Sequence, residues 1–144
     1  MSNWIPVLLT IAAITGCATT PVPTSTALDV PRSRILNSSF LHQKDGYGQV
    51  IIKRDSGLSA SACNTRIFAN GTAVAEIAPG EKVVFYLPFG EQMLGAIATG
   101  ICIGGLVESR AVVTRDRAAV FRISYGSSGE FTIRNRLDPS KSLI

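Results

Sequence analysis

The side chains of this chain best suited to chemistry are its three cysteines, Cys17, Cys63 and Cys102. A cysteine can act as a nucleophile, bind a metal or form a disulfide. Metal binding is disfavoured, because the chain has a single histidine, His42, and no C-x-x-C or H-x-x-x-H spacing. The sequence therefore predicts no metal site, and it leaves covalent modification, disulfide formation or a reactive thiol as the chemistry of these cysteines.

Cys17 ends a short apolar N-terminal stretch. Residues 4–14 carry no charge, and they are too few to cross a bilayer, which takes about 20 apolar residues, so they fit the core of a signal peptide. The sequence Ile14-Thr15-Gly16-Cys17 resembles the lipobox of bacterial lipoproteins. In that family a diacylglycerol is attached to the cysteine and the chain is cut before it. The resemblance implies a signal peptide over residues 1–16 and lipidation of Cys17. The alternative is a buried N-terminal strand or helix with an ordinary cysteine.

The residue after Cys17 bears on location. In lipoproteins of Gram-negative bacteria, Asp at that position tends to cause retention in the inner membrane, so by this resemblance Ala18 implies export to the outer membrane. The domain is expected to face the periplasm, and the cell surface is the alternative. The implied partner is the membrane, through the lipid on Cys17, and nucleic acid is not expected there. With Cys17 lipidated, Cys63 and Cys102 are expected to form a disulfide, since the periplasm is oxidising. A reactive thiol remains the alternative.

The rest of the chain predicts one small domain. Residues 17–45 form a tether and domain entry, because their first part is rich in Thr and Pro and lacks apolar periodicity. The fold is expected to start between Val30 and Gly46, and the β-sandwich itself covers residues 46–136. Residues 137–144 form a C-terminal tail.

The body of the domain reads as β-strands separated by turns. In residues 120–125 the apolar side chains alternate with polar ones, as a half-buried antiparallel strand requires. Asn70-Gly71 predicts a tight hairpin turn between strands 62–69 and 72–77. The uncharged residues 93–107 are too few to cross a bilayer as a helix. Their four glycines fit a buried strand plus a glycine-rich loop. The prediction is a core strand that carries Cys102 and is cross-linked to the strand carrying Cys63.

The turn sequences carry a second resemblance. The order Asn70-Gly71, Pro79-Gly80-Glu81 and Pro88-Phe89-Gly90 resembles small PEGA-type β-sandwich domains of exported bacterial proteins, and small Gram-negative lipoproteins with a cysteine pair. The fold class implied is all-β: an antiparallel immunoglobulin- or transthyretin-like sandwich of about seven strands. The resemblance implies no catalytic residues.

Enzyme signatures are missing from the sequence. There is no G-x-S-x-G motif, no nucleotide-binding glycine pattern and no evident carboxylate pair, so no catalytic activity and no cofactor are predicted. The function expected is that of a lipid-anchored envelope protein of binding or structural type. The alternative is an inhibitor or immunity lipoprotein that blocks a periplasmic hydrolase or toxin. An exposed plug formed by residues 89–92 would favour that alternative.

The positive charge is unevenly distributed. Residues 110–141 carry the whole excess of the +4 net charge. If the last two strands form an antiparallel hairpin, Arg122, Arg134 and Arg136 project to the same side. Guanidinium groups suit phosphate and carboxylate, so these three predict binding to an anionic envelope component such as lipopolysaccharide phosphates, or to an acidic protein. The alternative is a solvated strand face.

Overall fold

A computed structural model describes residues 19–102, 104–126 and 131–135. In these residues two β-sheets pack as a sandwich, which confirms the predicted all-β class. The strands are β1 (Leu28–Asp29), β2 (Tyr47–Arg54), β3 (Thr65–Ala69), β4 (Thr72–Ile77), β5 (Glu81–Pro88), β6 (Gly90–Ala98), β7 (Val107–Val113), β8 (Ala119–Tyr125) and β9 (Phe131–Asn135). Two short 3-10 helices, Arg32–Arg34 and Ser38–Leu41, lie between β1 and β2.

The first sheet has the strand order β1-β5-β2-β8-β9 and the second β4-β3-β6-β7. Most neighbouring strands are antiparallel, but β2 runs parallel to β8, and β1 runs parallel to β5. A parallel pair needs a long connection. Between β2 and β8 that connection includes every strand of the second sheet. The first sheet is therefore mixed, whereas the sequence predicted antiparallel pairing.

The core is built by alternation along the strands. In β8 every second residue is buried, including Phe121 and Ile123, as the sequence pattern predicts. The hairpin between β3 and β4 is also confirmed. Asn70 and Gly71 both have positive φ, 48° and 80°, and Ala69 pairs with Thr72 across the two-residue turn.

The segment predicted to be a tether lies against the domain. Thr20 and Ser56 exchange two backbone hydrogen bonds of 2.7 and 3.0 Å, and the side chain of Ala27 is buried. The ammonium groups of Lys53 and Lys82 donate to carbonyl oxygens of this segment. Lys53 is buried, so its ammonium group needs such an acceptor, and both hydrogen bonds hold the segment against the sheet. The folded part of the chain thus includes residues from Thr19 onward, a correction to the predicted boundary.

The two cysteines lie in loops and not on strands. Strand β6 ends at Ala98, and β3 begins at Thr65, so Cys102 follows the one strand and Cys63 precedes the other. These strands are antiparallel neighbours, and their ends bring the two Cα atoms to 6.0 Å. The predicted 63–102 disulfide is confirmed, whereas its predicted placement within two strands is corrected: the chain bends at Gly100, where φ is +82°.

Candidate functional site

Thr19 is fixed at one end of the sandwich. Its backbone nitrogen donates to the carbonyl oxygen of Tyr125 at 3.2 Å, and its hydroxyl lies 3.0 Å from both the nitrogen and the carbonyl oxygen of Tyr125. We call this the anchor end, formed by Thr19, Tyr125 and the loop residues 55–64, 99–102 and 104–106. Cys17, the predicted lipidation site, lies outside the described residues and two positions before Thr19.

A buried carboxylate organises the anchor end. Asp55 is 1% exposed. The Nε atom of Arg122 donates to its two oxygens at 2.7 and 2.9 Å, and Nη2 donates at 2.6 Å. These hydrogen bonds raise the pKa of Arg122. The fork-shaped contact is the strong form of an arginine–carboxylate pair, so the charge of Arg122 is already matched within the chain.

The pair with Asp55 changes the predicted anion-binding stripe, which consists of Arg122, Arg134 and Arg136. Arg134 stands opposite Arg122 across the β8–β9 ladder and is exposed, as the parity argument requires. Arg136 lies outside the described residues. Because Arg122 is held by Asp55, Arg134 is the described member of the stripe that presents its side chain to solvent.

The structure adds two lysines that the sequence reasoning missed. Across the outer face of the first sheet, paired positions on four adjacent strands are basic: Lys82, Lys53, Arg122 and Arg134. The Nζ atom of Lys82 donates to the carbonyl oxygen of Ala27 at 2.7 Å, and that of Lys53 donates to Val22. The two lysines of this row therefore hold residues 19–30 across the sheet.

Arg54 is the largest fully buried side chain of the described residues. Its guanidinium donates to the carbonyl oxygens of Cys63 and Ala60 at 2.5 and 2.7 Å, and it lies 4.7 Å from the ring centre of Tyr125. Burial lowers the pKa of Arg54. The contacts with two loop carbonyls fix the loop over residues 55–64, which carries one half of the disulfide.

The Asp55–Arg122 pair gives a testable prediction. Arg122→Gln is expected to lower the free energy of unfolding by about 2 kcal/mol, because it leaves a buried carboxylate without its cation. Breaking a fully buried pair costs about 3–5 kcal/mol, and here the Arg122 side chain is 38% exposed. The measurement is urea denaturation at neutral pH.

Two controls belong with that measurement. Arg110→Gln removes an exposed arginine whose carboxylate partner, Glu91, is 3.5 Å away, and should cost at most about 0.5 kcal/mol. Combining Arg122→Gln with Asp55→Asn should recover part of the loss, because no charge is then buried alone. Equal losses for Arg122→Gln and Arg110→Gln would contradict the assignment.

The opposite end of the sandwich, the far end, carries residues 89–92, of which Gly90–Gln92 begin β6. Phe89 is 37% exposed, and the guanidinium of Arg115 lies 5.8 Å from its ring centre. Beside it is a cleft of about 320 Å³ whose lining is mainly polar. Its lining residues include Tyr47, Gln49, Tyr86, Arg115, Asp116 and Arg117. The far end thus combines an aromatic side chain with charged groups.

Among the described residues, no group of three or more His, Cys, Asp or Glu side chains is placed to hold a metal ion. In the same part of the chain no helix has the length and apolar character needed to cross a membrane. Comparison with protein-family models and with curated proteins gave no match for this chain.

Proposed function

We propose that this chain is a lipid-anchored outer-membrane protein of binding or structural type, without catalytic activity, whose domain faces the periplasm. The lipobox-like sequence Ile14-Thr15-Gly16-Cys17 motivates the anchor. The observation that carries the proposal is the fixed position of Thr19 at the anchor end. A lipid attached two residues earlier would hold that end at the membrane and direct the far end away from it.

Exposed positive charge is the second feature of the proposal. Arg134 lies on the outer face of the first sheet, opposite Arg122 at the middle of β8. Exposed basic side chains close to a membrane gain about 1 kcal/mol each from anionic lipid headgroups. An anionic envelope component is therefore the partner that this face suits, with Arg134 as the described contact and Arg136 as the predicted one.

Lipidation of Cys17 is tested by intact-mass analysis of protein from the membrane fraction. The expected mass is that of residues 17–144 plus a diacylglycerol and an N-terminal acyl chain. Cys17→Ala should accumulate as precursor that retains residues 1–16, while the control Cys63→Ala should still be lipidated. A membrane-fraction protein that keeps residues 1–16 and carries no acyl chain would refute the proposal.

The far end supports a second function, that of an inhibitor lipoprotein. An exposed aromatic ring beside an arginine resembles the residues that dominate many protein–protein interfaces. Phe89 and Arg115 form such a pair, and the far end is directed toward the periplasm in the proposed orientation. This arrangement suits insertion into the cleft of a periplasmic hydrolase or toxin.

An enzyme assay separates the two functions. An inhibitor should reduce the activity of a muramidase, peptidase or phospholipase from the periplasm. Phe89→Ala should weaken that inhibition about tenfold or more, which corresponds to an interface residue worth at least about 1.4 kcal/mol. Leu28→Ala, an exposed apolar change on β1 beside Glu81 and away from the far end, is the matched control. Unchanged hydrolase activity in the presence of the wild-type protein would favour the binding or structural function.

A further inference from the structure

The anchor end carries large apolar side chains that are open to solvent. Ile101 is 86% exposed and Leu58 is 85% exposed, which makes them the most exposed large hydrophobic residues among those described. Both lie in loops of the anchor end, on the two sides of the disulfide. Exposed leucines are common on protein surfaces, but two side chains this exposed at one end of a small domain indicate a contact surface.

These two loops are held in place rather than free. The disulfide joins Cys63, at the end of the loop with Leu58, to Cys102, the neighbour of Ile101. Arg54 donates to the carbonyl oxygen of Ala60 in the first loop. The hydroxyl of Ser59 donates to the carbonyl oxygen of Gly126 at 3.1 Å. The protein therefore presents both apolar side chains on a braced support, so that ordering them on a partner costs little entropy.

The position of the N-terminal segment identifies the partner. Thr19 is hydrogen-bonded to Tyr125 at this same end, and the predicted acyl chains start two residues before it. Chains attached there would bring the bilayer surface to the anchor end. Apolar side chains that enter the boundary between headgroups and acyl chains are a known means of fixing a protein on a membrane. Arg134, on the neighbouring outer face, can stay at the headgroup level.

We propose that Leu58 and Ile101 insert into the lipid surface and fix the orientation of the domain on the membrane. The partner is the lipid bilayer itself. This inference rests on the proposed lipid-anchored function, because the acyl chains bring the anchor end to the bilayer. It adds a second, non-covalent contact made by the folded domain, stabilised by the disulfide between the two inserting loops.

Tryptophan fluorescence tests the insertion. The one tryptophan of the chain, Trp4, lies in the segment removed by processing, so a tryptophan introduced into the processed protein is its only one. Leu58→Trp, Ile101→Trp and the control Val112→Trp are purified from the membrane fraction. Val112 is 57% exposed and pairs with Glu91, toward the far end. Each protein is placed in phosphatidylethanolamine and phosphatidylglycerol vesicles, with and without bromine on the acyl chains.

The expected result is that brominated lipid quenches Leu58→Trp, Ile101→Trp or both, with emission shifted to shorter wavelength, and leaves Val112→Trp unchanged. Equal emission of all three variants with and without bromine, or quenching of Val112→Trp as well, would overturn the inference. The mass of the same samples reports lipidation separately. Quenching in protein without acyl chains would refute the lipid anchor and support the insertion. Acylated protein without quenching would support the lipid anchor and overturn the insertion.

Discussion

Arg54→Met is expected to lower the free energy of unfolding by about 2–6 kcal/mol, because two carbonyl oxygens of a loop lose the donor that they share. The Arg54 side chain is fully buried and donates to carbonyl oxygens of Cys63 and Ala60. Methionine fills a similar space but donates no hydrogen bond. Each buried carbonyl left without a donor costs about 1–3 kcal/mol. The measurement is urea denaturation monitored by circular dichroism.

Two further variants distinguish the effect of losing the buried hydrogen bonds from the effect of losing any arginine. Arg54→Lys keeps the charge but has no planar fork, so it can reach fewer carbonyl oxygens and should show an intermediate loss. Arg66→Met removes a half-exposed arginine that pairs with Glu76 on the outer face of the second sheet, and should cost less than about 1 kcal/mol. Similar stability of Arg54→Met and Arg66→Met would contradict the role given to Arg54.

The sequence predicts those parts of the fold that depend on local signals. The alternation of Phe121 and Ile123 with polar residues predicts which side of β8 is buried, because side chains on a strand alternate between its two faces. The Asn70-Gly71 hairpin is equally local, because positive φ at two successive positions is tolerated by these residues. Such features need no knowledge of which strands are neighbours.

Contacts between residues that are far apart in the sequence could not be predicted from local patterns. Asp55 and Arg122 are 67 positions apart, and they meet because β2 lies parallel to β8. Nothing in either strand's sequence specifies that pairing. The sequence alone therefore predicts Arg122 on a solvent-facing strand face. It also predicts a tether within residues 17–45, because the carbonyl groups that Lys53 and Lys82 bind have no side-chain signature.

Arg54 is an intermediate case. It has the same parity as Val50 and Ile52, so the alternation that defines β2 also directs its side chain inward. That signal was present in the sequence and indicates a buried arginine. Its partners, however, are backbone carbonyls of a loop without a regular pattern, and their positions depend on the disulfide and on the end of β6. The site could be suspected from the sequence, but its geometry could not.

Replacing both Cys63 and Cys102 with alanine is expected to lower the free energy of unfolding by about 4 kcal/mol. The cross-link closes a loop with a sequence separation of 39, and the chain-entropy model gives about that value for such a loop. In the folded state the ladder between β3 and β6 already brings the two loops together, since Thr65 pairs with Ala98 and Thr99 donates to the carbonyl oxygen of Asn64. The main effect therefore arises in the unfolded chain.

Reduced wild-type protein is the matched control for the double alanine variant. Cys63 is buried, so alanine there removes packed atoms as well as the cross-link, whereas reduction removes only the bond. Both should show a steeper dependence of unfolding on urea concentration than the oxidised protein, because an unfolded chain without the cross-link exposes more surface. The double variant should be slightly less stable than reduced wild type. A loss below about 1 kcal/mol in both would mean that the unfolded chain keeps residues 63 and 102 close together without the bond.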